Sequence, residues 1–150
     1  MKTAGLIGGT GPESTIEYYR VIISSYRERT RDGSYPSILI NSVNGKPLID
    51  CVSANRLEDL TRLLLAEIQE LARAVADFAA LTANTPHVVF DPLQRESSLR
   101  TEERIESVIL GGTELPLILR ESDAALVPFL DTRIHVERIV DAILDGRGVQ

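Results

Sequence analysis

Three stretches of the sequence gather small, polar and glycine residues just past a short apolar run. They are Gly8, Gly9, Thr10, Gly11 and Pro12; Asn84, Thr85, Pro86 and His87, preceded by Ala83; and Gly111, Gly112, Thr113 and Glu114, followed closely by Pro116. Where such a run is a strand and the proline opens a helix, the first helical N–H groups point at whatever lies beyond the strand, a setting that suits an anion. A carboxylate is the easier ligand to accept. A dinucleotide loop would need a third glycine where Ser14 stands, and the run ending in Asn41, Ser42 and Asn44 offers no acid for a ribose hydroxyl. The same glycines also serve a tight turn with a proline-started helix and no ligand. Thr85 and Thr113 act equally well as helix caps. His87 and His135 can carry protons, or be hydrogen-bonded structural side chains. Cys51 follows the second apolar run, near such a site or simply as a small residue of a loop or helix cap.

Composition removes several function classes. The 150 residues, 43% hydrophobic and 25% charged, suit one globular domain with a sizeable core. The formal charge of −6 comes with sixteen Lys and Arg mixed among the acids, so there is no basic stripe for nucleic acid. A single cysteine excludes an internal disulfide framework and fits a reducing, cytoplasmic setting. No apolar run reaches membrane-spanning length, and Gly8 and Gly9 interrupt the opening stretch before it could form a signal-peptide core.

The elements that would position these residues follow from periodicity. "KTAGLIGG" reads as a strand, and Pro12 opens a helix with Ile16, Tyr19, Ile23 and Tyr26 on its apolar face and Gly33 as its stop. "PSILINSV" is a second strand. From Asn55, capped with help from Glu58, Leu57, Leu60, Leu64, Ile68, Leu71 and Val75 form one helical stripe. "ADFAALTA", "SVILGG" and "ALVPFL" are three further strands, and residues 134–144 a closing helix. The alternation predicts an α/β fold: a largely parallel sheet of about five strands covered by helices. In such sheets ligands bind at the carboxyl ends of the strands, so Thr10, Gly11, Asn84, Thr85 and Thr113 are expected along one edge. Residues 91–104 are poor in apolar side chains and rich in charge, a solvated helix or a linker.

"MKTAGLIGGTGPESTIEYYR", "SILINS", "ANTPH", "ILGGTELPLIL" and "LDTRIHVERIV" together resemble the aspartate/glutamate racemase family, the amino-acid racemases that need no cofactor. The resemblance implies a Rossmann-like or flavodoxin-like half of a racemase and an acidic amino acid as ligand. It places substrate-binding roles on Thr10, Gly11, Asn84, Thr85, Thr113 and Glu114. Family members use two cysteines on opposite faces of the α-carbon. Their positions fall on Ala83 and Gly112, so both are substituted here. Members also carry most of a second domain between the stretches matching "NTPH" and "VILGGTE". Against that pattern residues 1–90 match the first domain, 91–104 a linker or deletion junction, and 105–150 the C-terminal segment, all within a single α/β domain.

Two functions remain open at this level. One is a racemase of the family working through other groups, such as Thr85, Thr113, Glu114 or His87, or with a second chain supplying the missing half. The other is a non-catalytic relative that binds a small carboxylate. A domain lacking its companion exposes apolar surface, so a homodimer is expected.

Overall fold

The computed structural model describes residues 1–83, 89, 93, 108–110 and 132–145. Strand β1 (Ala4–Gly8) leads into helix α1 (Pro12–Thr30), then β2 (Ile38–Ser42), α2 (Lys46–Ser53), α3 (Leu57–Arg73), β3 (Phe78–Leu81), β4 (Val108–Leu110) and α4 (Thr132–Asp145). The described strands form one four-stranded sheet in the order β2-β1-β3-β4. Every pairing is parallel, with Leu6 opposite both Ile40 and Ala80, and Leu81 opposite Leu110. The expected parallel α/β architecture is therefore present. The fifth strand expected over residues 125–130 lies outside the described residues, as does the helix opened by Pro86.

Side-chain alternation along the central strands divides the core in two. Leu6, Phe78 and Ala80 point to one face, where Tyr18, Ile22 and Tyr26 of α1 meet Val136, Ile139, Val140 and Ile143 of α4. Ile7, Ala79 and Leu81 point to the other, against Leu48 and Cys51 of α2 and Leu60, Leu64, Ile68 and Leu71 of α3. Both faces are covered, so β1 and β3 are buried along their whole length. Two contacts set α1 and α4 side by side in the same direction. Tyr18 meets His135 near their starts, and Arg29 pairs with Asp141 (2.7 Å) near their ends.

Four local expectations are corrected. Ile16 and Tyr19 are exposed at 61% and 44%, and the buried face of α1 is instead Thr15, Tyr18, Ile22 and Tyr26. Helix α1 ends on Arg31, which takes the left-handed conformation itself (φ 52°), two residues before Gly33. Asn55 does not cap α3. It sits at φ 53° in the turn between two helices, and Arg56 occupies the cap without a side-chain bond. Val75 lies past the end of α3, at φ 68°, and is 78% exposed, because the chain has already left the helical phase. Helix α2, absent from the sequence reading, carries Cys51 in its last turn.

The α1–β2 connection is held by Asp32, whose carboxylate accepts from the backbone N–H (2.8 Å) and hydroxyl (2.5 Å) of Ser34. These bonds, the hydroxyl first, hold its carboxyl below the ordinary aspartate range. A depressed folded-state value means that the contribution is present at neutral pH and lost as pH falls through that value.

Candidate functional site

Strand order fixes where a site can form. From β1 the chain moves outward to β2, and from β3 it moves the opposite way to β4, so the topological switch point lies between β1 and β3. At the carboxyl edge of that pair stand the Gly9–Gly11 turn and Ala83.

The turn is shaped by close packing. Gly9 has φ 87°, and a Cβ there would lie 2.2 Å from the carbonyl oxygen of Val43, so no L side chain fits. A Cβ on Gly8 would fall 2.4 Å from Cγ2 of Thr15. The glycines thus have a structural reason of their own: the exits of β1 and β2 touch backbone to backbone, and Val43 N–H donates to Gly8 O (3.0 Å). Pro12 stands in the first turn of α1, where its missing N–H costs nothing. Thr10 and Gly11 are half-buried at the opening of that helix, beside the amide end of its first turn.

Below the turn lies a pair of hydroxyls that the sequence did not single out. Thr15 Oγ1 accepts from Gly9 N–H (3.0 Å) and lies 3.3 Å from Gly11 O. It is also 3.4 Å from Thr82 Oγ1, which is itself 3.1 Å from Ile7 O. Two protons serve these contacts, so each hydroxyl donates to one carbonyl or to the other hydroxyl. Thr82 is 1% exposed, and its N–H also bonds Ile7 O (3.1 Å). The pair therefore ties the β1 turn, the first turn of α1 and the end of β3 into one unit, with Ala83 buried directly after it. Thr15→Val keeps the shape but removes the acceptor of the Gly9 N–H. We expect a loss of about 1–3 kcal/mol in urea unfolding, with faster hydrogen exchange at the Gly9 amide.

Other polar residues at this edge have settled partners. Asn41 Nδ2 donates to Glu67 Oε2 on α3 (2.6 Å), and Asn44 Oδ1 accepts from Lys46 N–H at the start of α2 (3.1 Å). Cys51 is 3% exposed within the cluster of Ile7, Leu48 and Leu60, a core side chain. His135 is buried between α4 and α1. Its Nδ1 lies 3.3 Å from the Tyr18 hydroxyl, and the rings stand edge to face at 6.2 Å. Tyr18 is three residues beyond Thr15 on the buried face of α1, so this pair sits beneath the hydroxyl pair rather than at the edge itself. Among the described residues no group of His, Cys, Asp and Glu could hold a metal ion. No helix among them is long and apolar enough to cross a membrane. Asn84, Thr85, His87, Gly112, Thr113 and Glu114 lie outside the described residues, although β3 and β4 end at the same edge, with Leu81 beside Leu110.

The profile of the Asp/Glu/Hydantoin racemase family matches residues 7–100. Among solved structures, an aspartate racemase homologue from Pyrococcus horikoshii OT3 is 37% identical over 73% of this chain, with a TM-score of 0.59. The chain belongs to the Asp/Glu/Hydantoin racemase family. It spans 44% of the length of that archaeal relative. A putative Asp/Glu racemase from Yersinia pestis shares the fold at 20% identity, with a TM-score of 0.73, over 96% of this chain and the whole of its own. The family profile takes in the β1 turn, the Thr15–Thr82 pair and the switch point, so the tightly packed edge belongs to the part of the chain that carries the family likeness.

Proposed function

We propose that this racemase-family chain binds a small carboxylate, with an acidic amino acid as the best fit, at the β1/β3 switch point, and that it moves the α-proton poorly or not at all. The observation that carries this reading is the convergence of the Gly9–Gly11 turn, the first turn of α1 and the buried Ala83 on one edge. The helix start supplies N–H donors for a carboxylate, and Asn84, Thr85, Thr113 and Glu114 are the further side chains proposed to hold the ligand. The name of the archaeal relative, an aspartate racemase homologue, supports an acidic amino acid as that ligand. By the family resemblance Ala83 and Gly112 stand where the two proton-carrying cysteines would be. Neither has an ionisable group, and each positioned acid–base group contributes about 10²- to 10⁴-fold to rate. The reading includes a cytoplasmic protein that needs no cofactor, a single domain in which residues 91–104 mark a junction, and self-association as a homodimer.

The binding claim is tested by ¹⁵N-resolved titration with L-aspartate, D-aspartate, L-glutamate and succinate. The amide signals of Gly9, Thr10 and Gly11 should move in a saturable way, and those of the distant Gly33 should not. Unmoved Gly9–Gly11 signals at tens of millimolar ligand would contradict the site.

A second reading, a racemase using Glu114 or His87 as its base, rests on the family alone.

A further inference from the structure

The outer face of α1 carries an apolar stripe that remains open to solvent among the described residues. Ile16 and Tyr19 are exposed at 61% and 44% and Ile23 is half-buried, along the flank of the Thr15–Tyr18–Ile22–Tyr26 face that packs on the sheet. Tyr19 and Ile23 line an open groove together with Arg20, Ser24 and Arg27. The edge strand β2 also exposes an apolar side chain. Ile40 is 42% exposed and, by alternation, shares its face of β2 with Ile38, which packs against the α1 side of the core. At the far end Tyr35, 58% exposed, lies under the Arg27 guanidinium at 5.2 Å. Clustered exposed apolar side chains are the kind of surface that proteins use to meet partners.

We infer that this α1 face is the self-association surface of the protein, pairing α1 antiparallel with α1 of a second copy about a two-fold axis near Arg20. The inference rests on the homodimer reading and names its surface. It is independent of carboxylate binding. Charge selects both occupant and direction. Along the stripe Glu13, Ile16, Arg20, Ile23 and Arg27 follow steps of three and four residues, the spacing by which two helices meet along a seam. The acid lies at the helix start and the arginine near its end. Glu13 and Arg27 are equally far from Arg20, so antiparallel pairing sets Glu13 against the partner's Arg27 twice, and brings Ile16 beside the partner's Ile23. A parallel arrangement would instead bring Glu13, Arg20 and Arg27 each against its own copy. At the axis the two Arg20 side chains approach, each already held by its own Glu17 (3.3 Å). The 19-residue helix is about 28 Å long, which gives the seam room for the steps from Glu13 to Arg27.

The test is a charge-reversal cycle on the full chain, read by sedimentation equilibrium. Glu13→Arg and Arg27→Glu alone should each raise the dimer dissociation constant about 10-fold or more, and together should restore it to near the starting value. Ile16→Lys, at an exposed position, should abolish dimers while leaving the circular dichroism spectrum unchanged. A monomeric parent protein at high micromolar concentration would overturn both the homodimer reading and this surface. A dimer that tolerates Glu13→Arg, Arg27→Glu and Ile16→Lys, or a double reversal no tighter than the single ones, would overturn the surface alone.

Discussion

Phe78→Ala should lower the free energy of unfolding by about 3–5 kcal/mol, the usual cost of emptying a fully buried aromatic site. Phe78 is 1% exposed and opens β3 in the cluster shared with Ala4, Leu6, the Tyr18, Ile22 and Tyr26 face of α1 and the apolar face of α4. Its neighbours cannot easily collapse into the space. Asp77, one residue before it, is fixed by a bond from its N–H to Thr3 O (2.9 Å) and by accepting the Thr3 N–H (2.6 Å). A domain is stable by only about 5–15 kcal/mol, so the substitution removes a large fraction of the total. Urea unfolding measures it. A change below about 1 kcal/mol would mean that α4 does not pack across β3 as described.

The second large effect concerns chemistry. Ala83→Cys should introduce at most slow exchange of the α-hydrogen on one face of bound aspartate or glutamate, with no racemisation. A thiol on one face can take a proton but cannot deliver one to the other. Adding Gly112→Cys should produce inversion only if both strand exits reach one substrate, since a displacement of about 1 Å costs roughly 10²-fold. Proton NMR in deuterium oxide separates the outcomes: loss of the α-proton signal reports exchange, and a chiral assay reports inversion. Full racemisation by Ala83→Cys alone would show that the second face already has its acid, and would count against the proposal that two absent cysteines limit proton transfer.

Most of the parallel α/β plan was legible because apolar spacing reports directly on burial. The Leu60, Leu64, Ile68 and Leu71 stripe of α3 is buried as its period predicts. The same signal misled on α1, where two apolar stripes run side by side. Spacing distinguishes Ile16–Tyr19–Ile23 from Tyr18–Ile22–Tyr26 only by angle, and the sheet chose the second. Helix α2 escaped because its eight residues, opened by Lys46 and Pro47, bury only Leu48 and Cys51, too few for a period to show. Asn55 has the chemistry of a cap, but asparagine also tolerates a left-handed backbone, and between two helices the turn claimed it. At the site, the glycine turn and the strand exits were visible as composition. The Thr15–Thr82 contact was not, because it joins residues 67 apart in the chain and depends on β3 lying beside β1.

The central claim, a carboxylate-binding edge that lacks its proton carriers, is tested most directly by incubating the unmodified protein with L- and D-aspartate and L- and D-glutamate in deuterium oxide and following the α-proton by NMR. The account predicts that the α-proton signal persists at the rate of a protein-free control while the ligand shows saturable binding. Rapid α-deuteration that Glu114→Gln or His87→Ala abolishes would contradict it and identify the base that replaces the missing thiols.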